Sequence, residues 1–316
     1  MTRTPITSAP QTSHAAQTPQ ARSRPGTSLA TSGTAVAVVA VLVVLASTTA
    51  LVLGPTEEYA RIFPPPWVAL VAVGLLLCAV PAARTAPAGR LTAVLGWAAA
   101  VFFLGGSGGV VLDAFRAFFW VTGIPAGDFD RVDWPGAVAR TVSLLAALVT
   151  VHHTWRRGLG TPRAADVGTS VRTRRVLAWA AVVLVVPYPS LKLVWWGQAL
   201  ADPASAEQGM FPGMELLAFG AALVLVLLMV SSRTPSVLGR ALLIGGWAAS
   251  MTLLSMGFLM VFGMLAQLTG VAASNVTFSS DGAALMVLCV YGTWLMLGVV
   301  VLAATLQLMD RRRRAV

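Results

Sequence analysis

Hydrophobic residues along the chain fall into eight long runs, at 34–53, 67–83, 91–112, 136–154, 175–196, 214–231, 241–264 and 284–308. Each is long enough, or nearly so, to cross a hydrocarbon layer about 30 Å thick as a helix. The pattern predicts an all-α, polytopic transmembrane helix bundle of eight spans. Residues 1–33 break the pattern. They are rich in Thr, Ser, Pro, Ala and Gln and carry no acid and no apolar period, which predicts a disordered tail. The small residues at Ala46-Ser47-Thr48-Thr49-Ala50 have the character of a signal-peptide cleavage region. The run that holds them is longer than the roughly 7–15 apolar residues of a signal peptide, so it is read as a retained span.

The polar positions that separate the runs alternate in sign. The tail, 84–90, 156–175, 233–240 and 311–314 carry arginines, whereas 57–61, 113–133, 202–207 and Asp281 carry most of the acids. Basic loops stay in the cytoplasm, so both termini are expected there, in a multi-pass protein of the cell (inner) membrane. One motif returns. Gly89-Arg90-x5-Gly96-Trp97-Ala98-Ala99 is repeated without a gap as Gly239-Arg240-x5-Gly246-Trp247-Ala248-Ala249. With four spans per half, the second half enters the membrane in the same sense as the first, which makes the repeat parallel. The expected units are a tail (1–33), a first four-span repeat (34–154), a basic linker (155–174), a second repeat (175–309) and a basic tail (310–316). Within each motif the Arg and Trp share a helix face about 10 Å apart, and the glycine and alanines offer surfaces for close helix approach. Arg90, Trp97, Arg240 and Trp247 are therefore expected to form a packing element. The alternative is a cytoplasmic vestibule for an anionic ligand.

Composition agrees with this picture. Of 316 residues, 57% are hydrophobic and 11% charged, with a mean hydropathy of +0.78. A soluble domain carries about 25% charged residues. The net charge of +10 does not point to nucleic acid, because the basic residues flank apolar runs instead of forming one patch. Cys78 and Cys289 both lie in apolar runs and are expected to be buried thiols, not a disulfide.

Polar groups inside a membrane are costly, so each is a candidate site. Pro187-Tyr188-Pro189 should kink the fifth span, and Lys192, the one lysine of the chain, follows on its outer part. It is read either as a snorkelling lysine or, with Tyr188, as part of a cavity whose carboxylate partner is Glu215, Glu57 or Glu58. Gly105-Gly106-Ser107-Gly108-Gly109 interrupts the third span, and Asp113 and Arg116 follow at a spacing that places them on one helix face. A local Asp113–Arg116 ion pair is expected there, with Arg140 able to join Asp113 or Asp133. A broken helix lining a cavity is the alternative. These charges and the Lys192 segment have no counterpart in the other half. His152 and His153 point to different faces and read as interface residues, and Met256, Met260 and Met264 form a packing stripe. No catalytic, cofactor or metal motif is evident.

The string Pro187-Tyr188-x-x-Leu191-Lys192-x-x-Trp195 resembles one in uncharacterised multi-pass integral membrane proteins of actinobacteria. The resemblance is confined to this short segment and implies a membrane location and no activity. Three functions remain, in this order: a permease-like protein for a small solute, a non-catalytic assembly or regulatory subunit, and a membrane-embedded enzyme. The expected partners are the lipid bilayer and a small solute or another membrane protein, with no cofactor and no nucleic acid.

Overall fold

The computed structural model describes residues 26–82, 89–158, 171–201, 211–231, 238–269 and 281–314. Among these the chain is helical, with no strand. The α-helices follow in order: α1 (Gly26–Leu53), α2 (Trp67–Ala82), α3 (Gly89–Gly106), α4 (Val110–Thr122), α5 (Trp134–Gly158), α6 (Val171–Val185), α7 (Pro187–Ala201), α8 (Gly213–Val230), α9 (Leu238–Leu268) and α10 (Asp281–Arg314). Two 3₁₀ turns, Glu58–Ile62 and Gly127–Asp130, lie in the connections.

Among the described residues seven helical stretches are long and apolar enough to cross a membrane, with α3–α4 and α6–α7 each counted as one. The remaining expected run forms α2, a shorter apolar helix of 16 residues. At 1.5 Å per residue it reaches about 24 Å. Several boundaries differ from the sequence pattern. Helix α1 starts at Gly26, inside the expected tail, whose residues 1–25 lie outside the described residues. Helices α5 and α6 extend into the expected linker, leaving 159–170 outside, and α10 continues to Arg314. Hydropathy ends a run at its last apolar residue, whereas the backbone ladder of a helix continues through polar residues beyond it.

Helices α1, α2, α3 and α5 pack as a ring, each against the next and α5 back on α1. Helices α6, α8, α9 and α10 repeat that order of neighbours. Around the repeated motif the burial also corresponds. Arg90 and Arg240 are exposed, Gly96 and Gly246 buried, and Trp97 and Trp247 half-buried. A Cβ on Gly96 would meet Thr154 Oγ1 of α5 at 2.5 Å, and one on Gly246 would collide with Thr305 Oγ1 of α10. Both glycines let a threonine of a neighbouring helix settle against the backbone.

Two apolar cores result. The first gathers Val43, Ala72, Phe103, Ala147 and Val151 with Met251, Leu254, Leu302 and Leu306. The second gathers Ala181, Tyr188, Phe219, Val226, Leu297, Val301 and Ala304. Helix α10 serves both. Leu302, Leu306 and Met309 face the first core, while Leu297, Val301, Ala304 and Leu308 face the second, each set at the three-to-four-residue spacing of one helix face. Helix α9 reaches α10 through Gly257, where a Cβ would lie 2.6 Å from the Leu295 backbone nitrogen. Large apolar side chains such as Leu45, Trp179, Leu217 and Ile244 are exposed around the bundle, as lipid-facing positions are. Cys78 and Cys289 are among the exposed residues. This corrects the expectation of buried thiols, since in a membrane an apolar run supplies the outside of the bundle as well as its core.

Helix ends sort by charge. Arg311 donates hydrogen bonds to the Met229 and Ser231 carbonyls at the end of α8, 2.8 Å for Ser231, where cations complement the helix dipole. Trp155 near the end of α5 donates to Asp310 Oδ1 at 3.1 Å. Arg156, Arg157 and Arg311–Arg314 thus share one end of the bundle, the basic end. Asp113, Asp133 and the connection between α1 and α2 lie at the other, acidic end.

Candidate functional site

The backbone is irregular twice at the acidic end, and the charged residues gather there. Between α1 and α2 the chain runs from Gly54, at φ +67°, through the 3₁₀ turn to Pro64-Pro65-Pro66. Prolines without N–H groups stop a helix from continuing through this connection. Between α3 and α4 the chain breaks over Ser107–Gly109. Gly109 adopts φ +94°, and a Cβ there would lie 2.7 Å from the Phe63 ring. Only glycine suits both the left-handed conformation and the close ring. The break lets α4 start in a new direction, with Asp113 in its first turn, where the helix dipole favours a carboxylate.

Arg140 of α5 is the hub. Its Nε donates to Asp113 Oδ2 at 2.5 Å, and its Nη2 donates to Asp113 Oδ1 at 3.1 Å and to Asp133 Oδ2 at 3.2 Å. Exposure is 4% for Arg140, 3% for Asp113 and 2% for Asp133. Such a two-pronged guanidinium–carboxylate contact is among the stronger hydrogen-bonded ion pairs. Asp133 Oδ1 accepts from the Thr56 N–H at 3.2 Å and from its hydroxyl at 3.0 Å. The Asp133 N–H donates to the Tyr59 hydroxyl at 2.8 Å. Burial pushes the Tyr59 hydroxyl above its usual pKa, partly offset by that Asp133 N–H. The Phe63 ring centre lies 4.7 Å from the Arg140 guanidinium carbon.

Arg116 does not form the expected local ion pair with Asp113. Its guanidinium carbon is 3.6 Å from the Tyr59 ring centre and 4.2 Å from that of Phe129, and its Nη1 donates to the Asp128 carbonyl at 2.7 Å. Helical spacing put the two charges on one face, but the connecting loops supply rings and a carbonyl that hold the flat cation better. Arg140, 27 positions from Asp113, takes the carboxylate instead.

Beside this network is a cleft of about 200 Å³, walled by Ala50, Leu51, Ala60, Phe63, Asp133 and Arg140, with Arg61 on its rim. It touches both the irregular connection and the buried charges.

The other expected polar residues form a separate group in the second ring. The chain breaks at Val186 between α6 and α7, next to Pro187. Tyr188 is buried against Phe219, Tyr291 and Trp294, with ring centres 5.3, 5.4 and 4.7 Å away. Lys192 is half-buried, its Nζ 5.8 Å from the Tyr188 ring centre and 5.2 Å from that of Trp195. Among the described residues no ion pair within 4.0 Å joins Lys192 to Glu215, Glu57 or Glu58. The structure therefore brings Asp113, Arg116 and Arg140 together and leaves Lys192, Tyr188 and Glu215 apart from them. Arg90 and Arg240 stay exposed at the basic end. Trp97 stands edge-on to Trp155 at 6.5 Å, and Trp247 lies 6.3 Å from the His152 ring.

Sequence reasoning missed Tyr59, Thr56 and Phe63. Their signal was the Gly54-Pro55 and Pro64-Pro65-Pro66 strings that bracket them, since a connection so marked cannot be a plain helical hairpin. No protein-family model, curated protein or solved structure matches the chain.

Proposed function

We propose that this membrane protein is a permease for a small solute, and that the cleft beside Asp133 and Arg140 is its solute site. The observation that carries this reading is the coincidence of irregular backbone, buried charge and open volume at one end of the bundle. Non-helical backbone in a membrane is tolerated where it is enclosed in protein or lines a water-filled cavity. Intramembrane charges mark solute and ion pathways for the same energetic reason. The repeated motif and the matching order of helix neighbours support two parallel halves, the arrangement that lets one half move against the other. On this reading the basic end faces the cytoplasm and the cleft faces outward.

A permease must expose its site to both sides in turn. In a chain whose Cys78 and Cys289 are replaced by Ser, Ala60→Cys places a thiol in the cleft wall. A membrane-impermeant thiol reagent should reach it from the outer side in the resting protein and from the cytoplasmic side in a fraction of molecules. Labelling from the outer side alone under every solute condition would rule the reading out.

A second reading, a non-catalytic subunit of a membrane assembly, is favoured by the mutual satisfaction of Asp113, Asp133 and Arg140. It requires a stoichiometric partner to co-purify in mild detergent.

A further inference from the structure

Two guanidinium groups at the cleft have hydrogen-bond donors left over. Asp133 is engaged at both oxygens, Oδ1 accepting twice from Thr56 and Oδ2 once from Arg140. Arg140 uses Nε and Nη2 on the two aspartates, and its Nη1 has no hydrogen bond among the described residues. That nitrogen lies toward Gly136, where a Cβ would come within 2.8 Å of it and would also collide with Asp133 Oδ2. The missing side chain at 136 leaves room for the Asp133 carboxylate and the Arg140 guanidinium to meet in the cleft wall. Arg61 at the rim is exposed and has no ion pair among the described residues. Most of the remaining wall is apolar, from Ala50, Leu51, Ala60 and Phe63.

From this we infer that the cleft binds a small organic monoanion, a carboxylate or sulfonate on a body of a few carbons. The acidic head takes the free Nη1 edge of Arg140 and the Arg61 guanidinium, while the carbon body rests on Phe63 and Leu51. A cation meets two guanidinium groups there, and a neutral amide lacks an anion's charge attraction to them. The inference deepens the permease reading and rests on the same cleft, but binding does not depend on passage.

The test is calorimetric titration of the purified full chain in detergent with propionate, and with propionamide as its neutral counterpart. Propionate should bind saturably and propionamide should not. Arg61→Gln, at an exposed position, should weaken propionate binding about tenfold or more by removing one charge-assisted contact. Gly136→Ala should abolish binding by forcing the Asp133 carboxylate and the Arg140 guanidinium out of place, and the Arg61 variant keeps the test valid should that chain fail to fold. Equal binding of both compounds, no propionate binding at millimolar concentration, or an unchanged affinity in Arg61→Gln would each overturn the inference. Propionate binding with no vesicle uptake would retire the permease reading and keep the anion site. Uptake of a neutral or cationic solute without propionate binding would do the reverse.

Discussion

Replacing Arg140 with methionine removes the hub charge while keeping much of the side chain's apolar length. Arg140 holds two carboxylates that are only 3% and 2% exposed, through three contacts of 2.5 to 3.2 Å. Breaking a buried pair by deleting one partner costs about 3–5 kcal/mol, because the other charge is left in a poor solvent. The two aspartates should not share that cost equally. Asp133 keeps both Thr56 donors, whereas Asp113 is left with only the Tyr59 hydroxyl at 3.5 Å. Adding Asp113→Asn to Arg140→Met should therefore recover more stability than adding Asp133→Asn. The assay is unfolding of the purified protein by sodium dodecyl sulfate in mild micelles, followed by tryptophan fluorescence. A loss below about 1 kcal/mol for Arg140→Met, the worth of an exposed pair, would refute the claim that the network is buried. Equal recovery by the two asparagines would refute the assignment of the penalty to Asp113.

Three further outcomes are expected. Gly246→Ala should destabilise the chain by about 1–3 kcal/mol through overpacking, and Thr305→Ala in the same chain should relieve much of it, because Thr305 Oγ1 is the atom in the way; melting curves of the single and double variants decide this. Since the Tyr59 pKa is raised in the folded protein, the folded state holds that proton more tightly, so the contribution of Tyr59 is complete below about pH 10 and declines as pH rises through the folded value. Tyr59→Phe should lack that part of the alkaline decline in a pH series of unfolding curves. Reporter fusions within 84–90 and within 233–240 should both report the cytoplasm, and opposite sides would end the parallel-repeat reading.

The eight hydrophobic runs each correspond to helix, because a membrane forces helix on any apolar run that crosses it. Which helices touch was less accessible. Nothing local says that α10 divides its faces between two cores, and the Trp155–Asp310 bond joins residues 155 positions apart. At the site, the glycine break, Asp113, Arg116 and Arg140 were all legible as costly groups in an apolar chain. Their pairing was not. Local spacing favoured Asp113 with Arg116, while the structure uses Arg140 for the carboxylate and gives Arg116 the rings of Tyr59 and Phe129. Lys192 stood out for being the only lysine, yet its surroundings are aromatic and it finds no carboxylate within ion-pair distance among the described residues. Rarity in a sequence shows where a group is costly and says nothing about which partner offsets the cost.

The most direct measurement is uptake of labelled ethanesulfonate, an anion that stays charged and leaks little through lipid, into proteoliposomes of the full chain. Saturable uptake above that of protein-free vesicles, reduced about tenfold in a folded Arg61→Gln variant, is the predicted result. Uptake no faster than in protein-free vesicles, or uptake unaffected by Arg61→Gln, would contradict a permease that uses this cleft for a small organic anion.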